Sequence, residues 1–397
     1  MMKLNDVVAI GMVRTPMGRF GGTLKDVNVY DLGAAAIREA LKRAGVAGEQ
    51  VDQVIYGSCR QAGNGPNPSR SAAIFAGLPA KVPTHTINMA CPSGMKTVQL
   101  ASQAIRLGDA KLIVAGGMDS MSTIPYLLKG VRFEGFHMGP KTLLDGWSDS
   151  IDPTCGCGMG ETAENLVDKY KISREEQDRL AVDSQQKAAK AQQEGWFDEE
   201  LVTVEVPQKK AAALKFAKDE SIRGDTTMDS LAKLKPAFRK EGGSVTAGNA
   251  CGMTDGACAI VLTSRENAKA LGKPPLFSIV SCSETAVEPR FMGEGPGLAI
   301  PMALQAAGMK LEDMDLLEVN EAFAAQVLTD ERMLHWDRAK LNVHGGAIAL
   351  GHPTGISGAR ILITGTQALK RLGKEHLVAS ICGGGGVSMA MVVRREG

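Results

Sequence analysis

Hydrophobic positions along this chain change period repeatedly, and the changes mark out its elements. Val7-Val8-Ala9-Ile10 is a short apolar run that predicts a first strand. Thr84-His85-Thr86-Ile87 leans toward a second. From Met95 to Leu107 the apolar residues Met95, Val98, Ala101, Ala104 and Ile105 fall at helical spacing, and the pattern stops at Gly108. A longer helical stretch is predicted from Ser173 through Gln193, with a turn at Glu194-Gly195 and a strand over Val202–Val206. Another helix is expected from about Ile356 to Leu372.

The pattern also repeats. Ala40-Leu41-Lys42-Arg43-Ala44-Gly45-Val46 aligns with Ala303-Leu304-Gln305-Ala306-Ala307-Gly308-Met309, a shift of 263 positions, from 40 to 303. Each copy reads as the end of an amphipathic helix, a glycine stop and a strand, over Val51–Tyr56 and Leu316–Val319. Cys91-Pro92-Ser93-Gly94 matches His352-Pro353-Thr354-Gly355 at nearly the same shift, and each opens a helix. Leu112 to Gly117 loosely resembles Leu377 to Gly384. Three matches in one order make duplication a better explanation than chance. Alternating helices and strands in each half predict an α/β fold with a mixed or mostly parallel sheet covered by helices.

At 397 residues the chain exceeds one ordinary domain. The halves are expected to comprise residues 1–121 plus 246–272 and residues 273–397, with residues 122–245 inserted between them. The insertion is richer in charge, and Arg223, Lys233 and Lys235 make part of it basic. Overall, 45 basic side chains face 44 acidic ones, so nothing points to nucleic acid or an anionic membrane as partner. No apolar run is long enough to span a bilayer, and no signal peptide is expected. The 8 cysteines are scattered, which favours thiols in a reducing, cytoplasmic setting over a disulfide framework. The Cys155-Gly156-Cys157 pair lacks partners at metal spacing, so no metal site is expected.

Against this background Cys91 stands out. It lies where a strand turns into a helix, just before a proline suited to the first helical position. Free amides and the positive end of the helix dipole predict a thiolate there. Asn320, His352 and Cys382 likewise fall at the ends of predicted elements, in Val319-Asn320-Glu321-Ala322-Phe323-Ala324, in the glycine-rich run Gly345 to Gly355, and in Ser380-Ile381-Cys382-Gly383-Gly384. Such ends are where α/β folds assemble their sites.

With these motifs in family order, the chain resembles the thiolases, the acetyl-CoA C-acyltransferases of the thiolase superfamily. The resemblance spans almost the whole length. It implies two similar βαβαβαββ halves with a loop domain inserted in the first. It further implies that Cys91 is an acyl-accepting nucleophile and His352 the acceptor of its proton. Cys382 would be the acid–base for the α-carbon of a second acetyl-CoA, and Asn320 the holder of a water in one oxyanion site. The backbone amides of Cys91 and Gly384 would form the other oxyanion site. Arg223 would meet the nucleotide end of coenzyme A, Ser230, Ala247 and Cys251 the pantetheine, Met292 the acyl end, and Met159 would also belong to the binding site. No tightly bound cofactor is implied, since coenzyme A and acetyl-CoA are substrates. A homodimer or homotetramer is implied, with part of Ser122–Trp147 at the tetramer contact.

The chain departs from the family pattern at three positions. Cys251 stands where a serine is common, Pro92 follows the nucleophile, and Gly158 replaces the histidine of acetoacetyl-specific members. The last departure predicts a roomier acyl pocket unless Met292 or Phe133–Met138 fills the gap. The preferred activity is acetyl-CoA C-acetyltransferase, with a broader-chain 3-ketoacyl-CoA thiolase of fatty-acid oxidation as the alternative. A decarboxylating ketoacyl synthase and a non-catalytic acyl-CoA-binding relative are more remote. The first is not expected to carry a second active cysteine, and the second predicts loss of one of the four motif residues.

Overall fold

The computed structural model describes residues 6–147, 151–209 and 211–397. Its central sheet contains β1 (Val7–Arg14), β2 (Gln53–Gly57), β3 (Thr84–Ile87), β4 (Leu112–Ser120), β5 (Thr254–Ser264), β6 (Phe277–Ala286), β7 (Leu316–Val319), β8 (His376–Cys382) and β9 (Val387–Arg395). Across the sheet they run β7-β8-β9-β6-β1-β5-β4-β2-β3, with Gly18–Arg19 pairing on the start of β5.

This order is symmetric about the β6–β1 junction. One side reads β1, β5, β4, β2 and the other β6, β9, β8, β7. Even the irregularities repeat: β1 slips register between Ala9 and Gly11 against β5, and β6 slips between Ile279 and Ser281 against β9. Beyond β7, a parallel bridge from Leu317 to Leu341 stands where β3 stands beyond β2.

The sheet is mixed, but mostly parallel it is not. Only the outer pairs β7–β8, β4–β2 and β2–β3 are parallel. The pairs between them are antiparallel, and for β8–β9 the tight Gly383–Gly386 turn permits no other direction.

Helices follow the predicted periods. Helix α1 (Val29–Ala44) buries Leu32, Ile37 and Leu41 and ends on Gly45 at φ 59°. Its counterpart, α5 (Gly295–Ala307), ends on Gly308 at φ 68°. Both glycines adopt the left-handed conformation that closes a helix at low steric cost. Helix α2 (Ser93–Leu107) and helix α7 (Ser357–Leu372) start immediately after the Cys91 and His352 motifs. The two starts press together through glycine. A Cβ on Gly94 would lie 3.0 Å from the Ala359 nitrogen, and one on Gly358 would lie 2.7 Å from the Met95 nitrogen. This close approach joins the two halves at the site.

The chain between β4 and β5 carries α3 (Met159–Tyr170) and α4 (Arg174–Gln193). Ser173 caps α4 by accepting from the Glu176 amide, and the Glu176 carboxylate accepts from the Ser173 amide. Helix α6 (Ala324–Leu334) packs on both α3 and α4. The insertion is also tied to the core electrostatically. Fully buried Arg14 on β1 donates to Glu200 at 2.6 Å and to both oxygens of Asp219 at 2.7 and 2.9 Å. Arg14→Ala would strand two buried carboxylates, so a loss of about 3–5 kcal/mol is expected. It is read as a lower midpoint in urea denaturation, and a loss below about 1 kcal/mol would show that the cluster does not hold the insertion.

Candidate active site

A cavity of about 730 Å³ opens where the ends of β2, β4 and β8 meet the starts of α2 and α7. It is lined by Cys91, His352, Cys382, Gly384, Met159, Cys251 and Met292, which gathers seven of the eleven positions marked by the sequence. Asn320 lies behind this wall, fully buried, while its neighbours Ala322 and Phe323 line the cavity. Arg223, Ser230 and Ala247 do not line it and are exposed. The Ser230 hydroxyl is engaged locally, donating to the Thr227 carbonyl at 2.8 Å.

The turn that presents Cys91 is strained and strapped. Ala90 sits at φ 52°, a left-handed conformation that costs a residue with a side chain roughly 1–2 kcal/mol. Three contacts hold it there. Ser93 donates to the Ala90 carbonyl at 2.6 Å, Cys59 donates to the same carbonyl at 2.8 Å, and Asn88 accepts from the Ala90 amide at 3.0 Å. Pro92 is the residue before α2 rather than its first member. No sequence signal announces the strain at Ala90.

The expected resting thiolate is not what this environment favours. Burial pushes the Cys91 thiol above its ordinary value, although the Gly384 amide hydrogen-bonds to the sulfur and the Arg60 charge also pulls the pKa down. Desolvation of the anion outweighs the helix terminus. Cys91 is therefore a neutral thiol at rest and needs a base.

His352 is placed to be that base. Its Nδ1 lies 2.6 Å from the Ser357 hydroxyl, which in turn donates to the Pro353 carbonyl at 3.1 Å. A hydroxyl has one proton, so Ser357 must accept from Nδ1–H. The other nitrogen, Nε2, is then unprotonated, and it is buried without a hydrogen-bond partner among the described residues. Burial, with the charges of Arg360 and Arg60, lowers its pKa to about 3. An imidazole so depressed stays neutral, and able to accept a proton, well below pH 6.5. The pH profile of acetyl transfer to the enzyme is accordingly expected to show no inflection near pH 6.5 on its acidic side. An inflection there, absent in a His352→Asn variant, would contradict the assignment.

Cys382 ends β8 and is 1% exposed; burial raises its thiol well above the ordinary value, with the neighbouring Cys91 adding to the shift. Burial likewise pushes Cys251 up to about 12. The Asn320 amide donates to Ser380, but both polar atoms of its side chain lack a protein partner among the described residues. A fully buried amide with both ends unspent is suited to bind a water or a ligand atom.

Two further residues organise the site without any motif to mark them. Ser357 sets the tautomer of His352. Asp119, at the end of β4, is fully buried and accepts from the Ser58 hydroxyl at 3.2 Å, the Cys59 and Arg60 amides at 3.0 and 3.1 Å, the Thr354 hydroxyl at 2.8 Å, and the Gly355 amide. One carboxylate thus fixes the loop after β2 and the turn after His352 together. Only the fold brings positions so distant in the chain within reach.

At Gly158 the predicted gap is open. A Cβ there would meet no atom of the described residues within 4 Å. Met292 lines the cavity but leaves this space free, and Phe133, Phe136 and Met138 point into solvent.

Known proteins agree with this geometry. Residues 7–266 match the family described as the thiolase N-terminal domain, and residues 273–395 the thiolase C-terminal domain. An acetyl-CoA acetyltransferase of Cupriavidus necator is 49% identical over 395 residues, covering 99% of this chain and 100% of that protein. A probable acetyl-CoA acyltransferase of Staphylococcus epidermidis is 48% identical over 397 residues, covering 99% of each. Among solved structures, a Bacillus anthracis acetyl-CoA acetyltransferase superposes with a TM-score of 0.97 at 45% identity over the full length of both chains. Human mitochondrial 3-ketoacyl-CoA thiolase gives 0.95 at 41% identity, covering 99% of each. On its sequence, its fold and the residues gathered in its cavity, the chain belongs to the thiolase family.

Proposed function

We propose that this protein is a CoA-dependent acyltransferase that interconverts a 3-oxoacyl-CoA plus CoA with acetyl-CoA plus the shortened acyl-CoA. The observation that carries the reading is the cavity itself, in which a nucleophilic thiol, an unprotonated imidazole nitrogen and a second buried thiol face one space. Cys91 attacks the thioester carbonyl, His352 takes its proton, and the CoA thiolate leaves. The departing CoA thiolate takes the proton of the Cys382 thiol, and the Cys382 thiolate so formed removes a proton from the α-carbon of acetyl-CoA. The resulting carbanion attacks the acyl carbonyl and the bond to Cys91 breaks. The Gly384 amide, already aimed at the sulfur, supports a role in holding the oxyanion that forms there. Asn320, with its amide unspent, is assigned the water of the second oxyanion site.

Coenzyme A enters along the insertion, with Arg223 toward its phosphates and Ser230 and Ala247 along the pantetheine; the exposure of all three supports this. No tightly bound cofactor is proposed. The assembly is read as a homotetramer, supported by the apolar side chains of Tyr126, Phe133, Phe136, Met138 and Leu143 left exposed on one stretch. No helix of the described residues is long and apolar enough to cross a membrane. A cytoplasmic place in fatty-acid metabolism is proposed, in keeping with free cysteines at the site.

The test is CoA-dependent cleavage across 3-oxoacyl chain lengths. Because the space at Gly158 is open, C5 and C6 substrates are expected to be cleaved at least as well as acetoacetyl-CoA, each buried methylene contributing ~0.8 kcal/mol. Gly158→His should return the preference toward acetoacetyl-CoA. An enzyme that rejects everything beyond acetoacetyl-CoA would refute the pocket argument, and absence of any thiolysis would refute the activity.

A further inference from the structure

The Cys155-Gly156-Cys157 pair takes no part in the chemistry above. Of the other cysteines, Cys59, Cys91, Cys251 and Cys382 line the catalytic cavity, Cys258 is buried in the core and Cys282 lies on β6. Cys155 and Cys157 are half-buried and line a separate pocket of about 500 Å³, beside Asp168, Lys169 and Arg290. They belong to a hairpin in which Ile151–Asp152 pairs with Cys157–Gly158. Gly156, between them, stands at φ 66° and donates its amide to the Asp152 carbonyl at 2.8 Å. Across this left-handed bend the Cys157 thiol donates to the Cys155 carbonyl at 3.4 Å. Burial, followed by the adjacent Cys155 thiol, raises Cys157 above its ordinary value, so the two sulfurs are close enough to act on each other. Cα atoms two positions apart across a bend fall within the roughly 4.4–6.8 Å that a disulfide spans.

The surroundings narrow what such a pair can meet. Among the described residues no third His, Cys, Asp or Glu completes a metal-ligand set with it. The neighbouring cations are engaged, Lys169 by Glu294 at 2.5 Å and Arg290 by Glu288 at 2.6 Å, so the pocket is not built for an anion. What remains is sulfur chemistry. Two adjacent thiols meet a disulfide in succession, and the second attack is intramolecular, which gives it a large effective concentration. The same hairpin lends Ile151, Asp152, Pro153 and Gly158 to the catalytic cavity, but neither cysteine lines it. The dithiol is thus next to the active site in the chain and opens elsewhere.

We propose that Cys155 and Cys157 form a redox-modification site, apart from the catalytic thiols, at which small organic disulfides close a Cys155–Cys157 disulfide. One cysteine, as its thiolate, attacks a sulfur of the disulfide RSSR; a bond from the protein sulfur to SR forms, the original S–S bond breaks and one RS⁻ leaves. The second cysteine attacks the protein sulfur of that mixed disulfide, closes the hairpin disulfide and expels the other RS⁻. The two thiol protons pass to the leaving thiolates, so the protein is oxidised by two electrons while RSSR is reduced to two RSH. The inference stands independently of the acyltransferase reading, because no step uses Cys91, His352 or Cys382.

Reduced full-length protein treated with bis(2-hydroxyethyl) disulfide tests it, the remaining thiols being blocked with N-ethylmaleimide and the tryptic peptides measured by mass spectrometry. Cleavage after Lys141 and Lys169 yields residues 142–169, whose only cysteines are Cys155 and Cys157. This peptide is expected to be lighter by two hydrogens and to take no maleimide, and dithiothreitol should restore both thiols. Cys282 is half-buried like the pair but pushed up to about 12 by burial and by Glu284. Closure should outpace its modification by at least about 10-fold. Cys91→Ala should close the pair as the wild type does. Of Cys155→Ser and Cys157→Ser, at least one should stop at the mixed disulfide, keeping one mercaptoethanol on the remaining sulfur. The proposal is overturned if peptide 142–169 takes two maleimides while Cys282 is modified, if its cysteines link to other cysteines, or if neither single variant keeps the adduct. Closure in the wild type that is lost in Cys91→Ala also overturns it, since the catalytic thiol would then carry the exchange.

Discussion

Cys91→Ala is expected to take up no acetyl group from acetyl-CoA and to lose turnover by at least ~10⁴-fold, the scale on which removal of a covalent nucleophile is felt. The cavity contains other thiols, so the prediction is not trivial. Cys59 and Cys382 are pushed well above the ordinary thiol value by burial, and Cys251 up to about 12. Cys91 is raised too, but it alone among them is described with the Gly384 amide on its sulfur and the Arg60 charge acting on it, and both favour the anion. Intact-mass and peptide analysis after incubation with acetyl-CoA locate the label. Full turnover in the variant, with the label on another cysteine, would remove Cys91 from the mechanism.

Cys382→Ala separates the two thiols. The acetyl group should still arrive on Cys91, because that half-reaction needs only the nucleophile, His352 and the amides around the carbonyl. Condensation and thiolysis should fall by roughly 10²–10⁴-fold, the usual share of a general acid–base group. The environment explains why a cysteine suits this position. Buried to 1% and placed beside Cys91, its thiol is held far on the neutral side, so its anion is a strong base once formed. A neutral Cys382 also leaves no second negative charge next to the acyl-enzyme. Normal condensation rates in the variant would mean that another group moves the proton.

The same electrostatics distinguishes this pair from a preformed thiolate–imidazolium couple. With His352 depressed to about 3 and Cys91 raised, charge separation is costly in this buried site. Binding of the thioester supplies the oxyanion contacts that make transfer of the Cys91 proton worthwhile. Ser357 matters here because it keeps the proton on Nδ1 and Nε2 open.

Much of this was legible in the chain. The duplicated helix–glycine–strand pattern at Gly45 and Gly308, the paired Cys91 and His352 turns, and the helical stretch from Ser173 to Gln193 are local signals, each set by a few neighbouring residues and the backbone geometry they prefer. Gly158 was legible as well, because the absence of a side chain is written in the sequence. What the tertiary structure decided is everything that depends on desolvation and on distant partners. A helix start argues for a thiolate at Cys91, but the sign of the shift was set by burial among elements far apart in the chain. Asp119 looks like any strand-end acid until the fold brings the Ser58–Arg60 loop and the Thr354-Gly355 turn onto its two oxygens. Likewise, the pairing of Arg60 with Trp147 has no trace in periodicity or motif, since sequence pattern carries short-range preference while charge in a cavity is governed by whatever the fold packs around it.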